Sequence, residues 1–262
     1  MYNGDGIETK FKTSKTLEGN IMDPKIQQLF DKSKHIVFLT GAGVSTASGI
    51  PDYRSKGGLY TQNKANNKPA EWYLSHDCLM NHPKTFYRFM KAKMYYPDAK
   101  PNAIHKAQAK LTQEGRASII TQNVDNLYNK AHAKKDRLVE FHGNIYQCHC
   151  LKCGKPVDWH QYLKSPIHQA DGGQIRPDLV LYGEGMKYSN IIRALQMMRE
   201  SDLVVVVGTA MAVAPFNMLN QYKSPSAPVL VINEQKINQI PFVPKFKMLQ
   251  MDATKFFSEL HV

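Results

Sequence analysis

Residues 148–154 read CHCLKCG, three cysteines within six positions. A Cys-x-x-Cys pair ahead of a glycine offers two thiolates at zinc-binding spacing, and a closed zinc site takes four ligands. The one other cysteine, Cys78, lies far upstream and none follows Cys153, so cysteine spacing does not supply the remaining ligands. Cysteines clustered this way do not form a disulfide framework; in a reducing compartment they read as a metal site.

Other reactive residue types gather where apolar runs end. TGAGVSTASGIPDYRS (40–55) puts Gly41 and Gly43 directly after HIVFLT, as a dinucleotide phosphate loop requires, because glycine lets backbone approach a pyrophosphate. Thr46 stands where the third glycine of G-x-G-x-x-G belongs, and Gly49 and Pro51 interrupt any helix, so a polar loop carrying Asp52 and Arg54 is expected. A glycine-rich turn without a ligand is the alternative on this stretch alone. TQNVDNLY (121–128) offers Asn123 and Asp125 two residues apart, fit for a carboxamide or a ribose, or for ordinary turn chemistry. EFHGN (140–144) sets His142 before a glycine, where it is either a general base or a structural histidine. GTA (208–210) and NE (233–234) close two further apolar runs.

The elements that position these groups follow from periodicity. Asp23-Pro24 is an N-cap with proline at the first helical position, opening a helix to about residue 33. Ile104, Ala107 and Leu111 mark a helix from Asn102 that stops at Gly115; Ile191, Leu195 and Met198 mark another, and residues 253–260 a closing one. HIVFLT, ASIIT (117–121), DLVVVVG (202–208) and APVLVIN (227–233) are strands without alternation, as in a parallel sheet covered on both faces. The carboxyl edge of such a sheet is where ligands bind, and the polar strand ends lie there. Residues 53–100 and 144–176 break this rhythm and are candidates for a smaller inserted module; residues 1–22 are polar and expected to be loosely ordered.

Composition sets bounds. The net charge of +12 comes from basic residues scattered in runs no longer than Lys134–Lys135, which argues against a dedicated nucleic-acid stripe. The apolar runs are too short to span a bilayer, and the first residues lack a signal-peptide core, so a cytoplasmic protein without a membrane partner is expected.

In their order and spacing, GAGVSTASGIPDYRS, TQNVDNLY, EFHGN, IRPDLVLYGE (175–184), GTAMAVAP (208–215) and VIN (231–233) closely resemble the sirtuin family of NAD-dependent protein lysine deacylases, over about residues 23–260. The resemblance is to a bacterial-type, single-domain member. It implies an α/β fold: a Rossmann-like parallel sheet with helices on both faces (about 23–52, 101–143 and 177–262) and a smaller zinc-ribbon and helical module (about 53–100 and 144–176). It implies NAD as cofactor, with Gly41, Ala42, Gly43 and Ser45 around the pyrophosphate and Asp52, Tyr53 and Arg54 on a mobile loop. Gln122, Asn123 and Asp125 would hold the nicotinamide and its ribose, and Asn123 and Asp125 would join His142 in catalysis. Gly208, Thr209, Ala210, Asn233 and Glu234 would meet the adenosine half, with Asp252 and Ala253 near the adenine. In the family's reaction the acyl-lysine oxygen attacks the ribose carbon as nicotinamide leaves, and the histidine then takes a proton from a ribose hydroxyl. Val180, Leu181, Tyr182, Gly183 and Glu184 match the segment that pairs with the extended backbone of an acylated protein or peptide.

The resemblance also supplies the missing metal ligands. Sirtuin zinc sites use two Cys-x-x-Cys pairs, the second before Gly-Gly and Arg-Pro; here Gly172–Gly173 and Arg176–Pro177 are present, and the ligand positions hold His168 and Asp171. A Cys150, Cys153, His168, Asp171 zinc site, a site with Cys148 as third thiolate, and a metal-free module all stay open. Ala210 replaces the usual serine of GTS. Tyr87 matches the tyrosine of the branch that removes succinyl groups, but Met90 stands where that branch has arginine, which favours acetyl or apolar acyl groups, with Lys91 a partial substitute. The expected reaction is therefore NAD-dependent deacetylation yielding nicotinamide and O-acetyl-ADP-ribose. ADP-ribosyl transfer to protein and a non-catalytic NAD-binding module are the alternatives.

Overall fold

A computed structural model describes residues 23–53, 58 and 68–262. Its main sheet runs through β1 (Ile36–Thr40), β2 (Ala117–Thr121), β3 (Leu138–Glu140), β7 (Leu203–Val207), β8 (Val229–Asn233) and β9 (Lys247–Gln250), all parallel, in the order β3-β2-β1-β7-β8-β9. Every residue of β1, β2 and β7 is buried, which is why these strands read as unbroken apolar runs.

Alternate residues of β1 face opposite cores. Ile36 and Phe38 pack with Phe30 of α1 (Pro24–Lys32), Leu111 of α5 (Ala103–Gln113) and Phe256 of α9 (Ala253–Glu259). Val37 and Leu39 pack with Met198 of α8 (Tyr188–Glu200) and with Phe216. The helices therefore cover both faces, as the sequence pattern requires. At the start of α1, Asp23 caps the helix by accepting from Lys25 N–H at 2.9 Å, with Pro24 at the first turn.

A smaller antiparallel sheet, β5-β4-β6, is formed by β4 (Gly143–Cys150), β5 (Pro156–Val157) and β6 (Ile175–Leu179). Helices α2 (Ala70–Tyr73), α3 (His76–Asn81), α4 (Pro83–Lys93) and α7 (Trp159–Lys164) accompany it, and their apolar faces form a core of their own around Phe86, Met90, Ile145 and Tyr162. A short α6 (Leu127–Lys130) links β2 to β3. Chain order reverses between β1 and β7, the switch point at which a doubly wound sheet opens a crevice past its carboxyl ends.

Candidate functional site

At that switch point lies a cleft of ≈ 740 Å³. Gly41, Ala42, Gly43, Asp52, Tyr53, Gln122, Asn123, His142, Gly208, Thr209, Ala210, Asn233, Glu234, Asp252 and Ala253 all line it, as do Val180 through Glu184. Ser45 and Asp125 line instead an adjoining cavity of ≈ 30 Å³, with Ala42 and Asn123 at the junction. Arg54 lies outside the described residues. Sequence reasoning missed Leu74, Met94, Val124 and Leu179 on the module side of the cleft, because nothing local marks a core residue as facing a ligand.

The loop after β1 makes two 3₁₀ turns, Ala42–Val44 and Thr46–Ser48, and Gly49 ends it at φ 82°. Its glycines act through size: a Cβ on Gly41 would sit 2.6 Å from Thr209 Cβ, and one on Gly43 would sit 2.8 Å from Gly208 Cα. Their amides are already engaged, Gly41 N–H donating to Val207 O at 3.2 Å and Gly43 N–H to Gly208 O at 2.9 Å. The backbone donors that the cleft can use belong to Ala42, Thr46 and Ala47, which line it and make no such bond. Three N–H groups carried by these two turns on the cleft wall, without a backbone partner, fit a pyrophosphate.

Side chains from the neighbouring strand ends brace this loop. Asn123 Nδ2 donates to Gly41 O at 3.2 Å and to Ser45 Oγ at 3.0 Å. Ser45 donates in turn to Asp125 Oδ2 at 2.6 Å, and Leu127 N–H reaches Oδ1 at 2.9 Å. Burial raises the Asp125 pKa, opposed by these bonds. Gln122 Nε2 donates to Thr209 Oγ1 at 2.9 Å, joining the ends of β2 and β7.

His142 follows β3 and is half-buried against Phe141 and Phe216. Its Nδ1 lies 3.2 Å from Gln122 O, and a carbonyl only accepts, so Nδ1 carries the proton and Nε2 keeps its lone pair. Burial lowers the ring's pKa, the Gln122 bond working against it. The imidazole is therefore neutral near pH 7. Gly143 beside it has φ 88°, and a Cβ there would collide with Asp178 O, so only glycine lets the chain turn under the histidine.

Glu140 fastens this turn to the one holding Asp125. Asn129 Nδ2 and Asn144 Nδ2 each donate to Glu140 Oε1 at 2.8 Å and to Asn126 Oδ1 at 2.8 Å. Burial pushes the Glu140 carboxyl up to about 7 from its ordinary 4.5, against the two amides. A carboxyl with a raised folded pKa binds more protons folded than unfolded, so its contribution to stability is lost as pH rises from the unfolded value through about 7. Glu140→Gln mimics the protonated form. It should leave the urea midpoint nearly unchanged at pH 4, below both pKa values, and raise stability at pH 8 by about 1–3 kcal/mol.

Segment 180–184 is held on three sides. Val180 N–H donates to His142 O, Tyr182 N–H to Leu74 O, and His76 N–H to Tyr182 O, each at 2.9 Å. Arg176 grips both oxygens of Glu184 at 2.6 and 3.0 Å, and His76 Nδ1 lies 3.0 Å from Oε1. Desolvation raises the Glu184 pKa, but Arg176, His76 and Leu181 N–H together bring it down to about 2. Because Tyr182 and Leu181 already use their backbone groups, an added strand would pair through Val180 O and the peptide groups of Gly183, a narrower edge than the five-residue segment suggests.

The cysteine module gathers one set of four donor side chains. Donor atoms of Cys150, Cys153, His168 and Asp171 all lie within 4.8 Å of one another. Cys150 Sγ is 3.4 Å from Asp171 Oδ1, Cys153 Sγ 3.7 Å from His168 Nδ1, and that nitrogen 3.0 Å from Oδ1. Zinc–ligand lengths of ~2.0–2.3 Å at tetrahedral angles give edges of about 3.3–3.8 Å, so the donor set is close to the size of a zinc ion's shell. A Cβ on Gly173 would collide with Cys150 Sγ, which accounts for the glycine. Cys148 points elsewhere, to Tyr95 Oη at 3.7 Å and Ile145 O at 3.6 Å, and takes no part.

The sequence profile of the Sir2 family matches residues 41–215. An NAD-dependent protein deacetylase of Lactiplantibacillus plantarum is 55% identical over 236 residues, covering 90% of this chain and 97% of that one. One from Listeria monocytogenes serotype 4b is 48% identical, covering 90% and 99%. Among solved structures, a Sir2–p53 peptide–NAD+ complex superposes with a TM-score of 0.75 at 31% identity, covering 89% of this chain and 95% of its own. Sir2Tm bound to a propionylated peptide gives 0.75 at 30% identity, covering 90% and 95%.

Proposed function

Because the chain belongs to the Sir2 family, we propose that it removes acetyl groups from protein lysines in an NAD-dependent acyl transfer to ADP-ribose, with His142 as general base. The observation that carries the site assignment is the fixed tautomer of a half-buried, neutral histidine, its free nitrogen available to a cleft that also offers three unpartnered amides. When bound, NAD supplies a ribose carbon from which nicotinamide can leave. Ala42, Thr46 and Ala47 N–H would hold its pyrophosphate, with Asp252 and Glu234 at the adenosine end. Asn123 and Asp125 fix the loop through Ser45, and His142 Nε2 accepts a proton from a ribose hydroxyl.

The lysine's acyl group would enter between His142 and the module, along Leu74, Met94, Val124, Leu179 and Leu181. No lysine or arginine lines the cleft among the described residues, whereas Asp52, Glu184, Glu234 and Asp252 do. Tyr87 turns away to donate to Leu163 O at 3.1 Å, and Met90 is in the module core. Among the described residues the one cation on either cavity is Lys93, which lines only the smaller adjoining one, so acetyl, propionyl and butyryl should be favoured over an acidic acyl group. Mass spectrometry of the products with NAD and matched peptides tests both parts. Nicotinamide, free lysine peptide and O-acetyl-ADP-ribose are expected, with kcat/KM for succinyl-lysine at least about tenfold lower than for acetyl-lysine. Equal or faster succinyl removal overturns the specificity; mass added to protein would replace the reading with ADP-ribosyl transfer.

Zinc would be held by Cys150, Cys153, His168 and Asp171, away from the reacting groups, as a structural ion. The main sheet forms the NAD-binding part of this proposal and the small sheet with its helices forms the module. Among the described residues no helix is long and apolar enough to cross a membrane. A reducing cytoplasm is the setting we infer, supported by four cysteines that form no disulfide.

A further inference from the structure

The phosphate-facing loop has no helix to stiffen it. Between Gly41 and Gly49 the chain makes only two 3₁₀ turns, yet Ala42 of the first and Thr46 and Ala47 of the second line the same cleft. Asn123 and Ser45 hold the loop on its strand side. On the other side the loop meets the start of α5, in the stretch PNAIH (101–105), whose only evident role in the sequence is to open a helix.

Asn102 sits at that N-cap, and its side-chain amide is bonded at both its oxygen and its nitrogen. Oδ1 accepts from Ile104 N–H at 3.0 Å and lies 3.1 Å from His105 Nδ1. Nδ2 donates to Val44 O at 2.8 Å and to Ser48 Oγ at 3.0 Å. Reversing the amide would set NH₂ against an N–H and oxygen against a carbonyl, so its orientation is determined. One side chain thus ties the two 3₁₀ turns to each other and both to α5. His105, fully buried against the Tyr128 ring at 4.8 Å, holds the far side of the amide.

Resting on the NAD reading, the geometry points to Asn102 as a positioning residue for the phosphate-binding turn, its two amide hydrogens setting the convergence of the Ala42, Thr46 and Ala47 donors. Only asparagine does both tasks here. Aspartate caps a helix equally well but cannot donate, and its carboxylate would face the Val44 carbonyl; serine caps but is too short to span to Val44.

The test separates the two tasks. Asn102→Asp should melt within a few degrees of wild type because the cap survives. Its affinity for ADP-ribose, measured by calorimetry, should fall about tenfold and KM for NAD should rise by a similar factor, as expected from losing two donated hydrogen bonds. The KM for acetyl-lysine peptide and the pH profile of kcat should stay as in wild type, which a general loosening of the fold would not allow. Should Asn102→Asp fold poorly, Asn102→Ser carries the same expectation without the added charge. Wild-type affinity for ADP-ribose in a folded variant overturns the assignment, as does a parallel loss of peptide binding. Failure of the wild type itself to bind ADP-ribose would instead remove the NAD reading on which it rests.

Discussion

His142→Ala is expected to slow deacetylation of an acetyl-lysine peptide by about 10²–10⁴-fold in kcat, the usual contribution of a positioned general base, while ADP-ribose binding changes little. The separation follows from placement. The ring packs against Phe141 and Phe216 and bonds to Gln122 O, whereas the candidate phosphate donors lie on the loop after β1. The pH dependence has a definite sign. Burial lowers the histidine's pKa, so the neutral form that accepts a proton persists below pH 6.5, and activity should fall only as pH drops through that lowered value. The variant should lose this acid limb along with the rate. His142→Ala turning over at more than a tenth of the wild-type kcat would remove the histidine from its role and move the proton acceptor elsewhere in the cleft.

Much of this arrangement was legible before any coordinates because the sheet is buried on both faces. A strand such as LVVVV of β7 has no solvent side, so its continuous apolar run marks it, and the first polar residues after it mark the carboxyl edge. Asn123, His142 and Thr209 could be placed there from position alone. The strands of the smaller sheet were not legible in the same way: β4 reads GNIYQCHC, with polar side chains spent on the module and on the turn beside His142. β9 is hydrophilic at both ends and half-exposed in between, so its pattern is weak.

What escaped the sequence were partnerships across the chain. Of the residues expected around a pyrophosphate, Gly41 and Gly43 turn their amides onto Val207 and Gly208, so that Ala42 is joined on the cleft by Thr46 and Ala47, which the sequence did not single out for that role. Segment 180–184 looked like a free strand edge, yet Leu74 and His76 occupy the backbone of Tyr182. Asn102 read only as the start of a helix, and its bonds to Val44 and Ser48 appear only when the loop after β1 is seen beside it. Each depends on residues tens of positions away, which local pattern cannot report.

The purified protein is expected to carry one zinc ion per chain by metal analysis, and Cys150→Ser to lose it together with about 5–15 °C of melting temperature. Cys150 is fully buried at the end of β4, and its sulfur lies against Asp171 and Gly173 from the opposite side of the module. Apart from a shared metal, the segment carrying His168 and Asp171 is joined to the turn after β4 by Leu151 N–H to Gln174 O and Lys152 Nζ to Asp171 O, each at 2.8 Å. That loop runs straight into β6, whose Arg176 clamps Glu184 and so holds segment 180–184, the proposed peptide edge. Metal loss should therefore raise the KM for peptide more than the KM for NAD. Replacing hard donors by sulfur gives the complementary result: Asp171→Cys should retain zinc at chelator concentrations that strip the wild type, because a third thiolate replaces the single carboxylate. Protein that binds no zinc after reconstitution, with Cys150→Ser melting like wild type, would mean that the four side chains form an ordinary polar cluster. The module's own core around Phe86 and Tyr162 would then be what holds β6 in place.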